Sequence, residues 1–123
     1  MRYLTLLTGT QPTAPPPNEL MEAIARLGQE AAGAGALLDF GGLAPSAAGA
    51  RVRLTGGELM ISDGPFAEAK EVISYAVYSV RSKEEAVEWG RRFLDLHRQH
   101  WPGWEATIDV LKVFGPEDMD PPA

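Results

Sequence analysis

At 123 residues, with 45% hydrophobic and 23% charged side chains, the chain has the length and composition of one folded domain with a modest core, and disorder is expected only at its ends. Its 17 acidic against 11 basic residues leave a net charge of -6, which repels phosphate backbones and anionic lipid, so neither nucleic acid nor a membrane is an expected partner. The absence of cysteine excludes disulfide staples, thiolate metal sites and a Cys nucleophile.

The first segment, residues 2–8, is rich in Leu, Thr and Tyr and predicts a strand that stops at a proline-rich loop carrying Pro12, Pro15, Pro16 and Pro17. With no export signal and no apolar run long enough to cross a bilayer, the expected location is cytoplasmic. Asn18 is placed to cap a helix whose apolar positions Leu20, Ile24, Leu27 and Ala31 recur at helical spacing, and Gly33 and Gly35 end it. Residues 36–40 form a short apolar run bounded by Gly41 and Gly42, which predicts a second strand feeding a small-residue loop.

Arg51 to Thr55 alternates polar and apolar residues, Gly56-Gly57 supplies positive-φ turn positions, and Glu58 to Ser62 returns: the pattern of a β-hairpin. After a turn at Asp63 comes a strand from Ile73 to Val80, with Tyr75 and Val77 on one face and Ala76, Tyr78 and Val80 on the other. Ser82-Lys83-Glu84-Glu85 is a capping box that starts a second helix, whose inner stripe is Ala86, Trp89, Phe93 and Leu96. Pro102-Gly103 breaks that helix, and a last strand runs from about Ala106 to Phe114. One domain is therefore expected over residues 1–114, with a loose, acidic, proline-rich tail at 115–123.

The order strand, helix, strand, hairpin, strand, helix, strand predicts an α+β fold: a ferredoxin-like sandwich, its sheet mainly antiparallel, with two helices on one face. Two helices cover only one face of such a sheet, so the other needs a second subunit. Pairing the bare faces makes a dimeric α+β barrel, with a small-molecule cleft at the dimer seam.

Several residues invite chemistry. Asp63 precedes Gly64-Pro65, where an aspartate ordinarily accepts from the amides of its own turn; beside a dimer seam its carboxylate is a candidate base. Tyr75 is the tyrosine chosen to face the cleft, against the alternative of a core aromatic with a satisfied hydroxyl. Asp39, Phe66 and Lys70 are the candidate substrate contacts, Phe66 doubling as a core plug and Lys70 as a partner for Glu68 or Glu71. His97 and His100 lie near the end of the second helix, where polar or cationic residues suit the helix dipole; with no third ligand evident, neither a metal nor a cofactor is expected. Trp101 and Trp104 flank the Pro102-Gly103 turn and are expected to cover the base of the sheet or meet a partner.

The stretch Ser62-Asp63-Gly64-Pro65-Phe66-Ala67-Glu68-Ala69-Lys70-Glu71 resembles the signature of the YCII-related proteins, in particular their DGPF-domain branch. Leu37-Leu38 with Gly42 to Ser46, then Ala50 to Arg53, Val80 to Ala86 and Val113 to Asp118 follow in the same order and spacing. The resemblance implies a ferredoxin-like fold and a homodimeric barrel. It also implies two function classes, since some relatives resemble small-molecule lyases and others look like accessory partners of alternative sigma factors. The chain departs from the family pattern at named positions. The helix from Asn18 to Ala34 has no histidine, Ser74 alone precedes Tyr75, Gly41 stands where a glutamate is common, and Leu111 where an arginine is. A cofactor-free acid–base enzyme, a lyase or isomerase, and a non-enzymatic ligand sensor or regulatory protein partner both remain open.

Overall fold

The computed structural model describes residues 1–118. In chain order its elements are β1 (Arg2–Gly9), α1 (Asn18–Gly33), β2 (Leu37–Gly42), β3 (Ala50–Thr55), β4 (Glu58–Asp63), β5 (Glu71–Ser79), α2 (Lys83–His100) and β6 (Ala106–Val113). Short 3-10 turns occupy Ser46–Ala48 and Pro116–Asp118. At the second of these, Asp118 accepts the Gly115 amide at 2.9 Å. The remainder of the expected tail, residues 119–123, lies outside the described residues.

Alternation decides the layers. Tyr3, Thr5 and Leu7 are buried, while Leu4, Leu6 and Thr8 between them are only half-buried, so β1 has one well-covered face and one barer one. The main sheet has four strands in the order β2-β5-β1-β6, every neighbouring pair antiparallel. Both helices pack on the Tyr3 face, where Tyr3, Tyr78 and Val80 meet Ala31, Ala36 and Ala86, with Trp89 and Val110 against them. This is the expected α+β architecture of two helices and antiparallel sheets.

The close approach of α2 to the sheet depends on Gly90, where an added Cβ would lie 3.3 Å from Ile108 Cγ2. Across the helix pair, Arg92 bonds Glu30 and also sits 5.0 Å from the centre of the Trp89 ring. The opposite sheet face carries Leu4 and Leu6 of β1, paired with Val77 and Tyr75 of β5 and with Leu111 and Asp109 of β6, and no element of the described chain covers it.

The hairpin forms as expected, with Gly56 and Gly57 both at positive φ (59° and 79°), but it does not join the main sheet. β3 and β4 make a separate two-stranded ribbon pairing Val52 with Ile61 and Leu54 with Leu59, all four exposed. The serine half of the capping box forms, Ser82 Oγ accepting from the Glu85 amide at 3.1 Å, while the Glu85 carboxylate reaches one residue beyond the cap and accepts from the Arg81 amide at 3.0 Å.

One expected cap differs. Asn18 is the first helical residue of α1, and the cap position falls on Pro17, whose carbonyl accepts from Leu20 and Met21. The fixed φ of proline (-57° here) suits that boundary without help from a side chain. At the other end Gly33 stays helical, and Gly35, at φ +74°, makes the left-handed exit.

Candidate functional site

Two neighbourhoods hold the chemistry-bearing residues. The first is on the uncovered sheet face. Antiparallel pairing sets Gly41 of β2 opposite Tyr75 of β5, and the absence of a side chain at Gly41 leaves room for the ring: an added Cβ there would lie 2.9 Å from Tyr75 Cε1. Two residues earlier on the same edge strand is Asp39, on the same face, and the Tyr75 hydroxyl donates to Asp39 Oδ2 at 3.2 Å. The other carboxylate oxygen accepts the Phe40 amide at 2.9 Å, which holds the group in place. The negative charge of Asp39, and then the hydrogen bond to it, push the Tyr75 phenol above its ordinary range. Tyr75 is thus a neutral hydrogen-bond donor at physiological pH, and Asp39 is an exposed acceptor beside it.

The second neighbourhood is the signature stretch, organised around Ser46. Gly64 packs so closely that an added Cβ would fall 1.6 Å from the Ser46 carbonyl oxygen. Its amide donates to Gly49, the Phe66 amide donates to Ser46 Oγ at 3.0 Å, and the Ser46 amide donates to Glu71 Oε1 at 2.8 Å. Hydrogen bonding from the Ser46 side chain and amide holds the Glu71 carboxyl below its ordinary range. The Arg51 guanidinium lies 4.0 Å from the centre of the Phe66 ring and bonds Glu68 at 2.7 Å. This network fastens the hairpin to the loop after β2. It is a stitch of structural bonds, with Gly64 and Ser46 its indispensable members.

The five sequence-chosen residues therefore divide. Asp39 and Tyr75 come together. Asp63 is exposed at the end of β4, and among the described residues no donor contacts its carboxylate. Phe66 is half-buried under Arg51 and does not plug the helix-side core, and Lys70 is exposed, with no ion pair among the described residues. Among the described residues, no contact ties these three to the Tyr75–Asp39 pair, and no cluster of three metal-ligating side chains occurs.

A hollow of about 380 Å³ lies on the helix side of the sheet, so sheltered space does not depend on a second subunit. Its wall includes Leu20, Ile24 and Leu27 of α1 and Phe93 and His97 of α2. Tyr75 borders it from the strand, although register sets its ring on the other face, with Leu6. The sequence reading missed His97 as an inward residue. It is only 5% exposed, and the available signal was its position four residues after the inner-stripe Phe93. Trp101 and Trp104 stack on one another at 5.0 Å, and Trp104 stacks on His97 at 5.2 Å.

The chain matches the YCII-related domain family over residues 1–93. It belongs to that family. No curated protein is similar enough to match the chain. The matched span includes α1, the hairpin, the Ser46 stitch and the Tyr75–Asp39 pair, and ends at Phe93 within α2. No described helix of this YCII-related chain is long and apolar enough to cross a membrane.

Proposed function

We propose that this YCII-related protein, as a member of the DGPF branch, is a homodimer in which two uncovered sheet faces close over a small-molecule cleft containing the Tyr75–Asp39 pair. The single observation that carries the reading is that pair: a neutral phenol donating to a carboxylate on an apolar sheet face left open by its own chain. The strand order β2-β5-β1-β6 is the one a ferredoxin-like sandwich calls for, and that supports the barrel assembly. Leu4, Leu6, Val77 and Leu111 supply the apolar surface a partner copy would cover, and the exposed Val52, Leu54, Leu59 and Ile61 on the hairpin add a second such surface.

Closure would take water away from the pair, which keeps the Tyr75 phenol protonated as a hydrogen-bond donor and strengthens its electrostatic contact with the Asp39 carboxylate. The cleft would then perform cofactor-free acid–base chemistry on a small polar organic molecule, of the lyase or isomerase type. Asp63, Phe66 and Lys70 enter such a site only if the second copy brings its hairpin and following loop to the seam.

A second reading, a ligand-sensing or regulatory accessory protein in a cytoplasmic setting, such as a partner of an alternative sigma factor, is favoured by one observation. The signature residues Gly64, Phe66, Glu68 and Glu71, with Ser46 from the preceding loop, are occupied in structural bonds, which leaves few side chains free for catalysis.

Sedimentation at low micromolar concentration, followed by thermal-shift screening of a small-molecule library against the wild type, Tyr75→Phe and Asp39→Asn, tests the proposal. A dimer and a ligand shift lost in both folded variants are expected. A compact monomer, or a shift that persists in both variants, overturns it. Turnover of a bound compound by the wild type separates the enzyme from the sensor.

A further inference from the structure

Outside the Tyr75–Asp39 pair, the most unusual group in the molecule is His97. It is one of two buried polar side chains among the described residues, and its ring sits in the wall of the helix-side cavity, edge-on to Phe93 at 4.8 Å and stacked on Trp104 at 5.2 Å. Its tautomer follows from its partner. Nδ1 lies 2.9 Å from the Phe93 carbonyl oxygen, which only accepts, so Nδ1 carries the proton. Burial pushes the ring pKa down, which keeps it neutral. Nε2, on the opposite side of the ring, is left with its lone pair and, among the described residues, no donor.

The rest of the wall is mostly aliphatic and aromatic. The Thr5 hydroxyl is turned to the Ala76 carbonyl. Gly28 of α1 also lines the cavity, and an added Cβ there would meet open space, with nothing within 4 Å. A volume of about 380 Å³ falls in the range of small-molecule pockets and exceeds what packing defects leave in a domain this size.

We infer that this cavity, on the other side of the sheet from the Tyr75–Asp39 bond, is a second ligand site, which takes a small apolar molecule bearing one hydroxyl group, with that hydroxyl donating a hydrogen bond to His97 Nε2. The aliphatic and aromatic wall selects the body of the ligand, and the imidazole nitrogen, its ring fixed by the Phe93 carbonyl, selects the hydroxyl and its orientation. Trp101 and Trp104 line the cavity beside His97, so a ligand seated against that ring lies near their indoles.

The test compares para-ethylphenol with para-ethyltoluene, which has the same shape but no hydroxyl donor. Binding is followed by nuclear magnetic resonance at the His97 imidazole and the Trp101 and Trp104 indoles. In the wild type both probes should shift these resonances saturably, with the phenol bound about fivefold more tightly, the gain expected of one neutral hydrogen bond. His97→Phe keeps a ring in place but removes the acceptor, and should bind both probes equally. Gly28→Leu fills the hollow from a position where replacing glycine favours the helix, and should bind neither.

Absence of saturable shifts in the wild type, equal affinity for the two probes, or a preference that survives His97→Phe overturns the inference. The wild-type measurement decides even if a variant fails to fold. Asp39→Asn breaks the sheet-face pair at a residue outside the wall of the hollow and leaves this binding unchanged, so the two sites fail or stand separately.

Discussion

The ring of Tyr75 fills the space that a side chain at Gly41 would need, with Cε1, Cζ and the hydroxyl oxygen all within 3.3 Å of where a Cβ would stand. On an edge strand a glycine ordinarily weakens packing and leaves backbone bare, and here the cross-strand aromatic covers it. The same placement brings the hydroxyl to Asp39, so backbone, ring and carboxylate form one unit.

Gly41→Ala should therefore displace the ring and break the bond to Asp39. The expected cost is about 1 kcal/mol of stability, typical of a side chain forced from its rotamer, measured by urea denaturation. The substitution should also bring the Tyr75 phenol back toward its ordinary range. An alanine variant that leaves both quantities unchanged would show that the ring is not held there.

Asp39→Asn removes the charge that is the largest cause of the raised Tyr75 pKa, and its amide oxygen is a weaker acceptor. Phenolate formation followed by ultraviolet absorbance should move to lower pH for one of the three tyrosines, and Tyr75→Phe should delete that component. Tyr78, raised by burial alone, should not respond to the change at position 39.

The signature stretch predicts a stability effect. Gly64→Ala puts a methyl 1.6 Å from the Ser46 carbonyl oxygen, a backbone atom that cannot rotate aside, so the loop must move. A loss of about 3 kcal/mol or more is expected by chemical denaturation. Ser46→Ala leaves the Phe66 amide without its acceptor and should cost about 1–2 kcal/mol. Asp63→Ala, at an exposed carboxylate with no donor among the described residues, should stay within about 0.5 kcal/mol of wild type.

The contrast between Gly64 and Asp63 shows what was legible in the sequence. Elements governed by local rules can be read: the alternation in β1, the Gly56-Gly57 hairpin turn and the Ser82 cap all stand where the pattern puts them. Position in space is harder, because it depends on contacts distant in the chain. Nothing within residues 50–63 says that the hairpin leaves the main sheet, and nothing near Asp63 says that its neighbours bond Ser46. The pairing of Asp39 with Tyr75 joins residues 36 apart through strand register, so the sequence could nominate both but not connect them. His97 was overlooked because its residue type suits a helix C-terminus, while its spacing from Phe93 set it inside.

His97 carries the last prediction. Its folded pKa is lowered by burial, and the unfolded value is about 6.5. Below about 6.5 the unfolded chain takes up a proton that the folded chain resists, so stability falls as the pH drops; above that it is fully present. The carboxyls of Glu30, Glu68, Glu71 and Glu88, all lowered by hydrogen bonds, lose their contributions only as the pH falls below about 4.5, which separates the two windows. Denaturation midpoints between about pH 5 and 6.5 should therefore decline in the wild type, and the decline should flatten in His97→Phe, whose ring preserves the contacts with Phe93 and Trp104 without a titrating nitrogen. An equally steep decline in both proteins would mean that the ring is not shielded from water in the folded state.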